Sequence, residues 1–269
     1  MSARHWAPEE VADGLWVYQP RSGYRFSTDP FLLAGWIVEG GLPPRVLDVG
    51  TGSGILGLLL ARAGARVHGL DVLAEWAPHA RRSAARSGLA EQFSFEVADI
   101  RTWQGRPCDL VVSNPPYFRL GTGHLPPDPL RAAARHALQG DLSDLLPAMA
   151  RWAPRVAVVL PLNREKEARQ ILQRVGRPVT RTLSLKPRLV LLEGVAQGGS
   201  TSTECSSLRD AGGASVRVRQ LYAHAGAPLN RIRRGAAGQN AIGREEATTP
   251  LEDGGAPMES PCSEEHAKS

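Results

Sequence analysis

A glycine-rich turn between a short apolar strand and a helix governs the reading of this chain. Val46 to Val49 is an apolar run, Gly50-Thr51-Gly52-Ser53-Gly54 follows it, and Ile55 to Ala63 continues as a helix closed by Gly64. A strand, a glycine turn and a helix in that order are the opening of a unit whose next strand lies parallel to the first. The later residues repeat the alternation. Val67 to Leu70 reads as a strand, Trp76 to Ser87 as a helix stopped by Gly88 with Pro78 in its first turn, and Phe93 to Val97 as a third strand. Leu110 to Ser113 and Val156 to Leu160 are further strands. Asp144 to Trp152 (Pro147 taken as lying in its first turn) and Arg164 to Val175 are the helices around the last of them. Val179 to Leu185 and Arg188 to Val195 form a terminal antiparallel pair joined at Lys186-Pro187. The expectation is an α/β fold with a mostly parallel sheet and helices on both faces.

After Val195 the character changes. Residues 196–234 read as a linker, with Val216 to Tyr222 as a possible extra edge strand, and 235–269 as a polar, disordered tail. No apolar stretch approaches the roughly 18 residues that a membrane helix needs. The three cysteines share no metal-ligand spacing, and the first ten residues carry no apolar signal core. The chain is therefore expected to be cytoplasmic, free of metal and away from membranes, with a monomer favoured. Residues 1–195 hold 24 Lys+Arg against 18 Asp+Glu, a surplus of six, whereas 196–269 hold 8 against 9. A basic, arginine-dominated body suits contact with phosphates.

The glycine turn lies where a cofactor sits in open α/β sheets, outside the carboxyl ends of the strands. It is not a dinucleotide fingerprint, because Ile55 stands where the third glycine belongs. Nor is it a phosphate loop, since Leu58 and Leu59 follow Gly57 in place of Lys and Ser/Thr. The form Asp48-x-Gly50-x-Gly52-x-Gly54 resembles motif I of class I methyltransferases. Asp71 ends the next strand and is placed to accept both hydroxyls of a ribose. Asp99-Ile100 follows the third strand.

Ser113-Asn114-Pro115-Pro116-Tyr117-Phe118 follows the fourth strand. A planar NH2 is a poor nucleophile because its lone pair is delocalised into the adjacent π-system. Methylating it requires two acceptors for its two hydrogens, which the Asn114 side-chain oxygen and the Pro115 carbonyl supply on a rigid, proline-fixed loop. Tyr117 offers a stacking face. Upstream, Ser27, Thr28 or Asp29 caps a helix that begins at Pro30. Pro129 to Ala137 reads as a short helix with Arg131 and Arg135 on one face.

Together these residues resemble the valine-tRNA adenine-N6 methyltransferase family, which modifies the adenine 3′ of the anticodon. The likeness runs from Tyr24 to Val195. It rests on Thr28-Asp29…Leu32-Leu33, Asp48-x-Gly-x-Gly-x-Gly, Asp99-Ile100, Asn114-Pro115-Pro116-Tyr117, Ala134-Arg135-His136…Leu145-Leu146 and Arg188-Leu189-Val190-Leu191-Leu192. Ser83 stands where that family often has Asn, and little beyond Gln197 matches. The resemblance implies a Rossmann-like class I methyltransferase domain over residues 1–195, with a seven-stranded sheet that includes an antiparallel C-terminal strand. It implies S-adenosyl-L-methionine held by Phe26, Thr28, Asp48, Gly50, Gly52, Gly54, Asp71, Asp99, Ile100 and Asn114. Asn114, Pro115 and Tyr117 would act in catalysis. Tyr117, Phe118, Arg119, Arg131, Arg135 and His136 would meet the RNA partner, a tRNA. A protein glutamine N5-methyltransferase and a non-catalytic cofactor-binding scaffold are the alternatives.

Overall fold

The computed structural model describes residues 5–21, 25–115, 141–211 and 213–227. The sheet is built on β3 (Arg45–Val49), β4 (Arg66–Asp71), β5 (Phe93–Val97), β6 (Leu110–Ser113), β7 (Arg155–Pro161), β8 (Val179–Lys186), β9 (Leu189–Val195) and β10 (Ser202–Ser207). Their spatial order is β10-β8-β9-β7-β6-β3-β4-β5, and β9 alone runs against the rest. The sheet thus has eight strands among the described residues, one more than expected. The extra strand, β10, lies in the stretch read as linker. It pairs in parallel with β8 from Ser202↔Arg181 to Ser207↔Lys186. Its Ser-Thr-Glu-Cys-Ser-Ser sequence is almost wholly exposed, so it carries no alternation of apolar residues by which to be found.

The two faces follow from the two-residue period of a strand. Val46, Val67, Leu110, Val112, Ala157 and Val159 enter one core with the helices α1 (Asp29–Glu39), α2 (Ile55–Arg62) and α3 (Ala77–Arg86). Leu47, Val49, Leu70, Val111, Val156 and Val158 enter the other, beneath α4 (Leu142–Ala150) and α5 (Glu165–Arg174). Helix α4 starts earlier than the sequence suggests. Asp141 caps it by accepting from the Leu142 N–H at 2.7 Å, which leaves Pro147 inside the helix and not in its first turn.

The last helix also differs from expectation. Val216 to Tyr222 is not an edge strand but most of a helix, α6 (Val216–His224). Ser215 caps it by accepting from the Val218 N–H, and Val218, Leu221 and Tyr222 then fall on one buried face, the i, i+3, i+4 pattern of a helix. That face meets α1 at Gly35, where a Cβ would stand 1.9 Å from the Leu221 carbonyl oxygen. The two helices touch backbone to backbone.

At the other end of the chain, β1 (Trp6–Ala12) and β2 (Leu15–Pro20) make a hairpin around Asp13-Gly14, with Gly14 at φ +67°. A strand-flanked Asp-Gly is the sequence signal for such a turn. The hairpin rests on α3. Ser87 Oγ accepts from the Trp16 N–H at 2.9 Å and Ser83 Oγ from the Tyr18 N–H at 2.8 Å. Four residues of helix rise about as far as two residues of strand, so serines spaced i, i+4 meet alternate amides of β2. Arg86 and Arg82 lie over the rings of Trp16 and Tyr18. Trp6 stacks on His79 and meets Trp76 edge-on at 5.0 Å, and Trp76 backs the glycine turn at Gly52.

Candidate active site

The glycine turn leaves β3 through Gly50, Gly52 and Gly54 at φ +71°, +52° and +84°, conformations that a side chain rarely adopts. The Gly50 and Thr51 amides donate to the Leu70 carbonyl, which binds the turn to the end of β4. Beneath it, Asp48 is buried to 1% exposure. Its Oδ2 accepts from Thr51 Oγ1 at 2.6 Å and from the Gly57 amide at 3.0 Å. Asp48, expected among the cofactor ligands, therefore spends these contacts on shaping the turn.

Burial pushes the Asp48 carboxyl up to about 7. This makes a pH prediction whose sign is opposite to that of a salt-bridged aspartate. A folded-state pKa above the unfolded value means the folded chain holds the proton longer, so this group's contribution to stability falls as pH rises from about 4 to 7. Asp48→Asn is expected to flatten that fall, narrowing or reversing its melting-temperature deficit between pH 5 and pH 8. A constant deficit across that range would show that Asp48 ionises as an ordinary carboxylate.

Asp71 closes β4 at 9% exposure, and burial raises its carboxyl as well. Its Oδ2 accepts from the Gly52 amide at 2.8 Å and its Oδ1 from the Leu73 amide at 2.9 Å. The Val72 amide donates to the same carboxyl, and a carboxylate's remaining acceptor capacity is left for a ligand. The Asp71 carbonyl accepts from the Ala98 amide, which brings the Asp99 turn alongside. Asp99 is gripped by Arg101, whose backbone N–H, Nε and Nη2 all donate to its carboxylate, holding it well below the usual carboxylate range. Arg101 is absent from the sequence-derived site; the one available signal was a basic residue two places after the acid. Ile100 is buried against Leu47, Val49 and Leu70 under the same strand ends.

Asn114 enters from β6. Val49 and Ser113 are register partners, and Ser113 Oγ donates to the Val49 carbonyl at 2.7 Å. Gly50 and Asn114 are the next residues on neighbouring strands, so the glycine turn and the Asn-Pro loop emerge side by side. Asn114 is half-buried and Pro115 buried. Phe26 and Thr28 sit at the start of α1. Thr28 is the N-cap residue but makes no side-chain cap bond, whereas Ser27 Oγ accepts from the Asp29 amide. Phe26 packs on Phe31, Phe31 stacks on Tyr222 at 5.5 Å, and the Tyr222 hydroxyl bonds Thr28. Tyr222, which lies beyond the likeness read from the sequence, thereby supports the early motif. Pro116, Tyr117, Phe118, Arg119, Arg131, Arg135 and His136 lie outside the described residues.

The chemistry of this donor set selects among ligands. The carboxyl groups of Asp71 and Asp99 suit hydroxyl and amino donors and not the acceptor oxygens of a phosphate, and a Cβ placed on Gly50 would meet nothing within 4 Å, so there is room in front of the turn. Carboxylates at the ends of β4 and β5 suit a ribose diol and an amino group. A nucleoside carrying positive charge, as S-adenosylmethionine does, fits these residues.

A methyltransferase-domain family profile matches residues 46–153. The chain is similar to the tRNA1(Val) (adenine(37)-N6)-methyltransferase of Aeromonas hydrophila, 40% identical over 151 residues, which are 54% of this chain and 63% of that protein. With the protein of the same name from Tolumonas auensis it shares 33% identity over 207 residues, 72% of this chain and 86% of that one. The chain thus spans 63% of the length of the Aeromonas relatives. Among solved structures it is similar to a predicted O-methyltransferase from Agrobacterium tumefaciens, with a TM-score of 0.53 and 17% identity over 74% of this chain and 98% of the other. At that identity the likeness concerns the fold alone, which is that of class I methyltransferases.

Proposed function

Since the chain belongs to the tRNA1(Val) (adenine(37)-N6)-methyltransferase family, we propose that it methylates the N6 of an adenine in a tRNA anticodon loop, using S-adenosylmethionine. The observation that carries this reading is the Val49/Ser113 register, which sets an amide acceptor, Asn114, beside a turn fit for a cationic nucleoside. When bound, the cofactor supplies the methyl group as an electrophile on a sulfonium. The chain's own residues then have three tasks. Asp71, and Asp99 beside it, fix the nucleoside of the cofactor. Asn114 Oδ1 and the Pro115 carbonyl accept the two N6 hydrogens and turn the nitrogen lone pair toward the methyl. Tyr117 stacks on the base. With the cofactor bound, N6 would take its sulfonium methyl, and the nitrogen would release one proton to solvent. Catalysis is orientation in the main, with no covalent intermediate on the protein.

The test is to incubate the protein with labelled S-adenosylmethionine and RNA from a strain lacking the activity, then locate the label by mass spectrometry. N6-methyladenine at the position beside the anticodon of a valine tRNA is the expected product. Label on a release-factor glutamine and on no RNA would move the protein to the glutamine class. Asp71→Ala is expected to weaken S-adenosylhomocysteine binding by about 1.5–3 kcal/mol, the worth of hydrogen bonds to a charged group. Calorimetry checks this, and an unchanged affinity would remove Asp71 from the site.

A further inference from the structure

The strand order divides the carboxyl end of the sheet into two halves. The cofactor residues occupy the ends of β3, β4 and β5, and Asn114 stands at the end of β6. An acceptor approaching Asn114 must therefore lie over β7, β9, β8 and β10. Because β9 runs antiparallel, the β8–β9 turn comes back to this same end. Pro161 faces Leu189 across β7 and β9, and the Leu162 amide donates to the Arg188 carbonyl at 2.8 Å. On the outer side Lys186 faces Ser207, and the Leu208 amide donates to the Lys186 carbonyl at 2.9 Å. Topology thus gathers Arg164, Lys186, Arg188 and Arg209 on one rim, from separate stretches of chain.

Their side chains are not equivalent. Arg164 is committed to Asp141 and Glu167 and is only 12% exposed. Lys186 and Arg209 are exposed, and Arg188 is 59% exposed. The Arg188 guanidinium lies 3.8 Å from Asp29, a loose contact with a carboxylate that is itself buried. Asp210, next to Arg209, is 3.6 Å from Arg219. Among the described residues the outward face of the rim carries three exposed cations, Lys186, Arg188 and Arg209. The backbone carrying it is fixed by the two bonds above and by a third from the Arg188 amide to the Leu185 carbonyl. Fixed positive charges beside a base-modifying site suit the phosphates that flank the base.

We propose that Lys186, Arg188 and Arg209 form a phosphate-binding rim that grips the RNA backbone beside the target adenine. This rests on the reading of the site as an RNA methyltransferase, and it adds residues beyond the Arg119 to His136 segment expected from the sequence. The decisive experiment compares wild type, Lys186→Glu/Arg209→Glu and Arg188→Gln. Binding to a transcribed tRNA is followed by fluorescence anisotropy across a salt series, alongside calorimetry with S-adenosylhomocysteine. The double variant should bind RNA roughly tenfold more weakly or worse, and its log–log salt slope should flatten by about 0.7 for each phosphate that the protein no longer neutralises. Arg188→Gln should flatten the slope by one such step. Cofactor affinity should stay within about twofold in all three proteins, since a phosphate contact adds nothing to cofactor binding. KM for RNA should rise far more than kcat falls. Unchanged RNA affinity and slope in both variants would overturn the rim. So would a cofactor affinity that falls in step with RNA affinity, because that would mark a structural defect at the start of α1. If wild type binds S-adenosylhomocysteine but neither binds nor methylates RNA, the RNA reading fails and the rim with it.

Discussion

Asn114→Ala is expected to slow methyl transfer roughly a hundred- to thousandfold, the usual cost of losing one oriented hydrogen-bonding group at a reacting centre. The amino nitrogen of adenine has its lone pair in the ring system until its hydrogens are held out of the way. Alanine removes one of the two acceptors that do so. The backbone at this point depends on Ser113, whose hydroxyl is bonded to Val49, so the loop should keep its place. Affinity for S-adenosylhomocysteine should therefore fall far less than the rate, since Asn114 is only one of the residues expected to hold the cofactor. Single-turnover measurements at saturating cofactor, paired with calorimetry, separate the two effects. If cofactor binding is lost to the same degree as rate, Asn114 serves the loop and not the chemistry.

The second large effect is on stability. Gly35→Val places a branched side chain where the Leu221 carbonyl oxygen already lies within 1.9 Å of an ideal Cβ. The obstacle is backbone, which cannot rotate aside. Overpacking of this kind costs about 1–3 kcal/mol even when neighbours adjust. If α6 detaches instead, Val218, Leu221 and Tyr222 lose their burial, at about 1.5–3 kcal/mol each. Any gain in helix propensity on replacing glycine is at most about 1 kcal/mol. The expected result is a melting temperature lower by many degrees, with early proteolysis after residue 215. Because Tyr222 holds Thr28, cofactor affinity should fall as well. A variant that melts like wild type would show that α1 and α6 do not pack at this point.

The parts of the fold that are legible in the sequence are those where a local signal and the global arrangement coincide. Phe93–Val97 and Leu110–Ser113 are alternating or apolar runs bounded by polar turns, and both ends of each match the structure. The glycine turn is legible because positive φ leaves glycine almost no substitute. What escapes reading depends on partners distant in sequence. Strand β10 is polar because its edge position needs only backbone pairing with β8. Helix α6 reads as a strand although Ser215, Val218 and Leu221–Tyr222 carry a cap and a helical stripe. Val216 and Val218 also satisfy a two-residue period, and over so few residues the cap is the deciding feature. At the site, Asp71 and Asn114 fall at the strand ends where they are expected. Asp48 lies under the turn, and the Arg101 grip on Asp99 and the Tyr222 bond to Thr28 are contacts that no spacing rule announces.

The pair formed by Ser83 on α3 and Ser87 at its C-cap also settles a hazard that every small hairpin carries. The outer edge of β2 would otherwise offer the Trp16 and Tyr18 amides to any passing strand, including β2 of another copy. Ser83 and Ser87 occupy those donors with hydroxyls projected from a helix, and a helix cannot be extended sideways into more sheet. Arg86 and Arg82, laid over Trp16 and Tyr18, add like charges that repel a second copy from the same edge. The hairpin is thereby sealed against templated aggregation by two side-chain oxygens, those of Ser83 and Ser87.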